Sequence, residues 1–162
     1  MSKADWLEQV HRFLTLEWAN AASEGRTFNE FAYLRTIGLL ESDVQRAETE
    51  TERFGPRLSD LADAMAVRRA SASTMLTKLE KEGLVERKHS RLDARTQHIR
   101  LTEEGKQAVK DGLKLYERSA SQLLAAIGDH QADILALSAG RAAKRAKEAR
   151  RAGSPPVSPS QG

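Results

Sequence analysis

The chain has 162 residues, with 26 Lys and Arg against 23 Asp and Glu for a formal net charge of +3. That size suits one compact unit with a tail, and the mild basicity permits a nucleic-acid partner without demanding one. No cysteine is present, which excludes disulfides, thiolate zinc sites and cysteine redox sensing.

No apolar run approaches the roughly 20 residues of a membrane span. Asp5, Glu8 and His11 interrupt the N-terminal apolar residues, unlike a secretory signal, so a cytoplasmic home with no membrane partner is expected. Residues 4–22 have helical spacing, with Trp6, Val10, Phe13 and Glu17 on one stripe and Leu7, Leu14 and Trp18 on an adjoining one. This apolar surface is wider than an ordinary surface helix needs, and fits either core or a subunit interface. After Gly25, the run Thr27-Phe28-Asn29-Glu30 reads as a capping box that starts a second helix. That helix carries Phe31, Leu34, Ile37 and Gly38 inward and runs to about Arg46. The acidic stretch that follows, with Glu48, Glu50 and Glu52, reads as a solvated helix end and loop.

Leu58, Leu61, Ala62 and Met65 then give a short helix, with Ser59 as its expected cap. After Ala66-Val67-Arg68, a further helix buries Ala72, Met75, Leu76 and Leu79 and stops at Gly83. Residues 84–88 and 96–101 read as two strands around a polar loop, with Ile99 and Leu101 on one side and His98 and Arg100 on the other. Thr102 caps a long helix through Val109, Leu113, Tyr116 and Leu123, and Asp129 is expected to cap a last one through Ile134 and Leu137. From Gly140 the composition turns to alanine and cations, and the Pro/Ser/Gly tail at 153–162 is expected to be disordered.

This order describes a mainly α fold with a small β-hairpin wing. It is a winged helix-turn-helix, the kind of unit that binds duplex DNA. Residues 57–100 hold ten basic side chains against six acidic ones. The outer side of the second helix of the pair shows Ala70, Ser73, Thr74, Thr77, Lys78 and Lys81, with Arg68, Arg69 and Ser71 at its start. Short hydroxyls suit close approach to base edges, and Ala70 or a threonine methyl can meet a thymine methyl. An ordinary solvated face of small residues has the same composition. The hairpin, with its loop at 89–95, carries Lys88, Arg91 and Arg95 along it. An arginine at such a tip can enter a narrow minor groove, although a charged turn also reads this way.

The span 61–105 resembles the MarR family of winged-helix transcription regulators. The likeness runs through Leu61-Ala62, Val67 to Ser73, and Leu79-Glu80-Lys81-Glu82-Gly83-Leu84-Val85-Glu86-Arg87. It continues through Asp93-x-Arg95 and Ile99-x-Leu101-Thr102-Glu103-Glu104-Gly105. The resemblance implies a homodimer on a palindromic operator, with half-sites about 10 bp apart. It implies a dimerisation helix at 1–26 and a DNA-binding domain at 27–105, with the helix pair at 58–83 and the wing at 84–101. Further dimerisation helices would follow at 103–150. Arg69, Ser71, Ser73, Thr74 and Lys78 would contact bases or phosphates, and Arg95 with Arg91 the minor groove. The chain departs from the pattern at Ala66, where glycine is frequent, at Arg68, which replaces a hydroxyl cap, and at Ala94, which replaces a wing arginine.

Many family members release DNA on binding an aromatic acid or phenol. His11, Trp18, Tyr33, Arg35 and Tyr116 are the side chains here that could line such a pocket. They could equally be core and surface residues with no ligand. The four histidines show no metal-ligand spacing, no cofactor is implied, and no catalytic constellation is visible, so an enzyme is not expected. The expected function is a dimeric repressor relieved by a small aromatic ligand. Its rivals are a DNA-binding protein of low specificity, helped by the basic run 141–151, and a winged-helix protein-interaction module.

Overall fold

Short-range hydrogen bonds start and stop the helices of this chain. The computed structural model describes residues 2–21, 26–45, 55–89, 96–125 and 128–153. Within them run α1 (Lys3–Ala21), α2 (Phe28–Gln45), α3 (Leu58–Met65), α4 (Arg69–Lys81), β1 (Val85–His89), β2 (Gln97–Leu101), α5 (Glu103–Leu124) and α6 (Gly128–Arg151). Contacts group the chain into two units, Met1–Ser119 and Ala120–Gly162. The acidic segment 46–54, the wing tip 90–95 with Arg91, Ala94 and Arg95, and the tail 154–162 lie outside the described residues.

The expected box at α2 forms in both directions. Thr27 N–H donates to Glu30 Oε2 at 2.9 Å, and Glu30 N–H donates to Thr27 Oγ1 at 3.2 Å. Thr102 Oγ1 likewise accepts the Gly105 N–H at 3.0 Å and starts α5. The cap of α3 differs from the expectation: Ser59 lies inside the helix, and Arg57 is the N-cap. Arginine has no acceptor, so the useful bond runs the other way, from Arg57 N–H to Asp60 Oδ2 at 2.8 Å. Helix α6 begins at Gly128, and the Asp129 side chain expected to cap it lies outside the described residues. Helix α6 then continues through the basic run to Arg151.

Helix α4 ends in a Schellman turn at Gly83. Gly83 takes φ +72, its N–H donates to Glu80 O, and the Leu84 N–H donates to Leu79 O at 3.0 Å. Helix α3 ends the same way, with Ala66 at φ 58 and ψ 39 and the Val67 N–H donating to Ala62 O at 3.0 Å. Alanine there meets the Cβ penalty of the left-handed region, which glycine avoids.

Strands β1 and β2 pair antiparallel, from Val85 opposite Leu101 to His89 opposite Gln97. The hairpin thus begins one residue later than the sequence suggested, and His89 belongs to β1 and not to the loop. Side alternation on β2 is as expected for Ile99 and Leu101, but His98 is buried while Arg100 is exposed. The residues before α3 cover His98. Its Nδ1 lies 2.8 Å from Gly55 O, and the Ile99 N–H donates to Pro56 O at 2.8 Å.

One apolar core joins these elements. Tyr33, Leu34 and Ile37 of α2 meet Leu61 and Ala62 of α3, and Ala72, Leu76 and Leu79 of α4. Leu84, Val85, Ile99, Leu101 and Val109 complete it, while Met75 is only partly buried. Truncating a fully buried member such as Leu61 or Leu76 to alanine costs about 2–5 kcal/mol. Gly105 is set by approach and not by conformation: a Cβ there would meet the Leu84 carbonyl oxygen at 2.0 Å. Helix α1 buries none of its residues in this core, and Trp6, Leu7 and Leu16 are exposed. No helix among the described residues is long and apolar enough to cross a membrane.

The left-handed alanine carries a test. Ala66→Gly is expected to raise stability by about 1 kcal/mol, read as a higher urea midpoint at unchanged slope. An unchanged or lower midpoint would mean that the turn between α3 and α4 is not strained.

Candidate nucleic-acid interface

Helix α4 has two chemically distinct sides. Ala72, Leu76 and Leu79 are buried, while Arg69, Ala70, Ser71, Thr74, Thr77, Lys78 and Lys81 are exposed and Ser73 is half-buried. Every candidate on this helix therefore stands on or at the edge of its outer side. Ser73, Thr74, Thr77, Lys78, Lys81 and Glu82 line a shallow groove along it. Arg68 is the N-cap at φ −72 and ψ 149, and as expected from its chemistry it gives no side-chain cap. The first-turn N–H groups of α4 and two arginines thus share the end of the helix, a local concentration of positive charge.

The hydroxyls of this face are internally oriented. Thr74 Oγ1 donates to Ala70 O and Thr77 Oγ1 to Ser73 O, both at 3.0 Å. Each oxygen keeps lone-pair capacity for a further donor. Arg87 of β1 uses that capacity on Thr77, with Nη2 2.8 Å from Oγ1, while its Nε lies 3.2 Å from Glu80 Oε2. No local pattern in the sequence pairs Arg87 with α4. In the fold it ties the hairpin to the last turns of α4.

Lys78 is likewise more than a surface cation. Its ammonium donates to Glu30 Oε1 of α2 and lies 4.0 Å from Glu82. The Lys78 side chain is 52% exposed and that of Glu30 only 3%. Burial alone would raise the Glu30 carboxyl, but Lys78, the Thr27 N–H and Arg26 outweigh it and hold it below the ordinary 4.5. Glu30 in turn raises the Lys78 ammonium. Glu30 was legible as a capping residue but not as the partner of a lysine 48 positions away. On the hairpin, Lys88 is exposed and lies 2.8 Å from Glu86.

The candidate effector residues separate. Trp18 and Tyr116 share an aromatic cluster with Phe28 and Phe31, with ring centroids 4.9 to 6.1 Å apart. Trp18 Nε1–H donates to Arg26 O at 2.9 Å, anchoring the end of α1 to the start of α2. Tyr33 lies in the core below, His11 is exposed on α1, and Arg35 is half-buried on α2. Burial raises the phenol pKa of both Tyr33 and Tyr116. The crevice beside the cluster, lined by Leu14, Trp18, Phe28, Leu115, Tyr116 and Ser119, has a volume of ≈ 10 Å³, about the room for one water.

A family model described as MarR family matches residues 52–96. The transcriptional repressor MprA of Escherichia coli (strain K12) is 29% identical over 120 residues, covering 74% of this chain. The chain spans only 63% of that relative's length. Among solved structures, Streptococcus pneumoniae FabT in complex with DNA gives a TM-score of 0.70 at 15% identity, over 90% of this chain and 95% of that one. The PcaV transcriptional regulator from Streptomyces coelicolor, in complex with its natural ligand, gives 0.62 at 20% identity, over 88% and 90%. At such identities the structural likeness speaks to the fold.

The Glu30 to Lys78 contact predicts a pH signature. Folding lowers the Glu30 pKa, so below the ordinary 4.5 the unfolded chain binds more protons than the folded one. The stabilisation is complete above that value and is lost as the pH falls through the folded-state pKa. In thermal melts, Glu30→Gln is expected to lie below wild type at pH 7, with the gap narrowing as the pH falls below the ordinary 4.5. A gap that does not change with pH would remove the ionic contribution.

Proposed function

We propose that this chain, which belongs to the MarR family, is a sequence-specific double-stranded DNA-binding regulator acting as a homodimeric repressor. The observation that carries the proposal is the division of α4, whose inner side is committed to the core while its outer side faces solvent. A helix held this way can enter a major groove without disturbing the fold. Arg68, Arg69 and Ser71 at its start meet phosphates or guanine edges, and Ala70, Ser73, Thr74 and Thr77 approach bases closely. Lys78 reaches DNA only by sharing its charge with Glu30, so it serves better as a phosphate contact than as a base reader. Lys88, Arg91 and Arg95 supply the wing's contacts in the adjacent minor groove.

A two-fold dimer requires a palindromic operator, and the exposed Trp6, Leu7 and Leu16 of α1 support burial of that helix against a second copy. Footprinting across the gene's own upstream region is expected to give one discrete two-fold protected site, with half-sites about 10 bp apart. Replacing Arg69 and Arg95 together with alanine is expected to weaken operator affinity by at least about 30-fold, since each base-reading arginine contributes on the order of 1–3 kcal/mol. Unchanged affinity in a folded double variant would favour a protein-interaction module instead.

The cluster at Trp18 and Tyr116 supports relief by a small aromatic carboxylate or phenol. A ring needs far more than the present ≈ 10 Å³, so it enters only by parting the cluster, with His11, Tyr33 and Arg35 as the remaining candidate lining. Simple aromatic carboxylates are then expected to raise the melting temperature and weaken operator binding together. A screen in which none does either removes the effector.

A further inference from the structure

The end of α6 is chemically unlike the rest of the molecule. Residues 141–151 hold Arg141, Lys144, Arg145, Lys147, Arg150 and Arg151 against Glu148 alone, a net +5 where the whole chain carries only +3. This is the densest cationic run of the chain, exceeding the net +4 that residues 57–100 spread over four times the length, and the residues outside 141–151 are together net acidic. The segment is helical throughout, and every residue in it except Ala149 is exposed. Lys144 and Glu148 lie 3.9 Å apart, and Arg145 Nε–H donates to Arg141 O at 3.4 Å.

The pattern discriminates among partners. At 3.6 residues per turn the cations spread over roughly three fifths of the circumference, and the rest carries Ala142, Ala146 and Ala149. From Ser138 onward this helix has no apolar side chain larger than alanine. An interfacial membrane helix needs Trp, Phe or Leu opposite its cations, and a coiled coil needs large residues at its seam. Neither is available here. Like charges stand at i,i+4 (Arg141 with Arg145, Lys147 with Arg151) and at i,i+3 (Lys144 with Lys147, Lys147 with Arg150). These pairs oppose the helix unless a polyanion lies along it. Six cations over about 16 Å of helix axis approach the charge density of a duplex, which carries one phosphate per roughly 1.7 Å.

We propose that residues 141–151 form a second DNA-binding surface, sequence-independent and directed at duplex phosphates, which adds to the reading helix and does not replace it. Tethering makes each surface raise the local concentration of the other's ligand. The segment therefore governs capture and salt dependence, while α4 governs sequence choice.

The test uses the full chain and a random-sequence 40-bp duplex, with binding followed by fluorescence anisotropy across a salt series. Replacing all six cations with glutamine preserves helix propensity while removing the charge. The expected result is at least about a tenfold loss of affinity near 0.1 M salt and a log–log salt slope shallower by about 3 or more, at 0.9 per phosphate released. Arg69→Ala should move the same slope by no more than about 1. Replacing Ala142, Ala146 and Ala149 with glutamine should leave it unchanged. A wild-type slope in the six-fold variant overturns the proposal. So does an equal loss in the alanine-side control, which would trace the effect to the helix and not to its charge. Wild-type chain that binds phosphatidylserine vesicles but not the duplex would also overturn it, in favour of a lipid surface.

Discussion

What α4 buries decides what it can offer. Ala72, Leu76 and Leu79 are locked against α2, α3 and the hairpin, and helical periodicity then leaves Arg69, Ala70, Thr74, Thr77 and Lys81 no direction but outward. Close packing permits little rotation of such a helix, since turning it by even a fraction of a turn would expose leucines and bury cations. Gly83 and Gly105 set the spacing behind it. One supplies the left-handed turn into the hairpin, and the other lets α5 pass against the Leu84 carbonyl.

Two polar ties fix the helix further. Glu30 starts α2 through Thr27 and holds Lys78 near the end of α4, so the first turn of α2 and the last turns of α4 share one carboxylate. Arg87 performs the corresponding task from the hairpin, through Thr77 and Glu80. The same turn of α2 carries Phe28 and Phe31, which pack on Trp18 and Tyr116. A disturbance of the aromatic cluster thus has a short physical route to α4 through Glu30. Both ends of that route are side chains in contact, which makes it open to a double-mutant cycle.

Legibility followed the range of the interaction. The box at Thr27 and Glu30, the glycine stop at Gly83 and the cap at Thr102 are formed within a few residues, and residue type at fixed spacing reveals them. The two sides of α4 were readable because the helical period is rigid. Ser59 misled because a hydroxyl near a helix start looks like a cap, whereas Asp60 reaching back to Arg57 serves that end. Burial of His98 depends on Gly55 and Pro56 crossing β2, and no local pattern announces that. The partners of Lys78 and Arg87 are tertiary for the same reason. The resemblance already places Trp18 with Tyr116, but their packing on Phe28 and Phe31, and the small crevice beside them, are tertiary.

The central claim is that the outer side of α4 meets DNA while its inner side stays in the core. Amide and side-chain NMR shifts of the full chain, titrated with duplex DNA at low salt, test it most directly. The expected perturbations fall on residues 68–78, with Arg69 and Thr74 largest and the methyls of Leu76 and Leu79 unmoved. Saturating DNA that leaves 68–78 unperturbed, or that shifts the buried leucines as strongly as the exposed face, would contradict the claim.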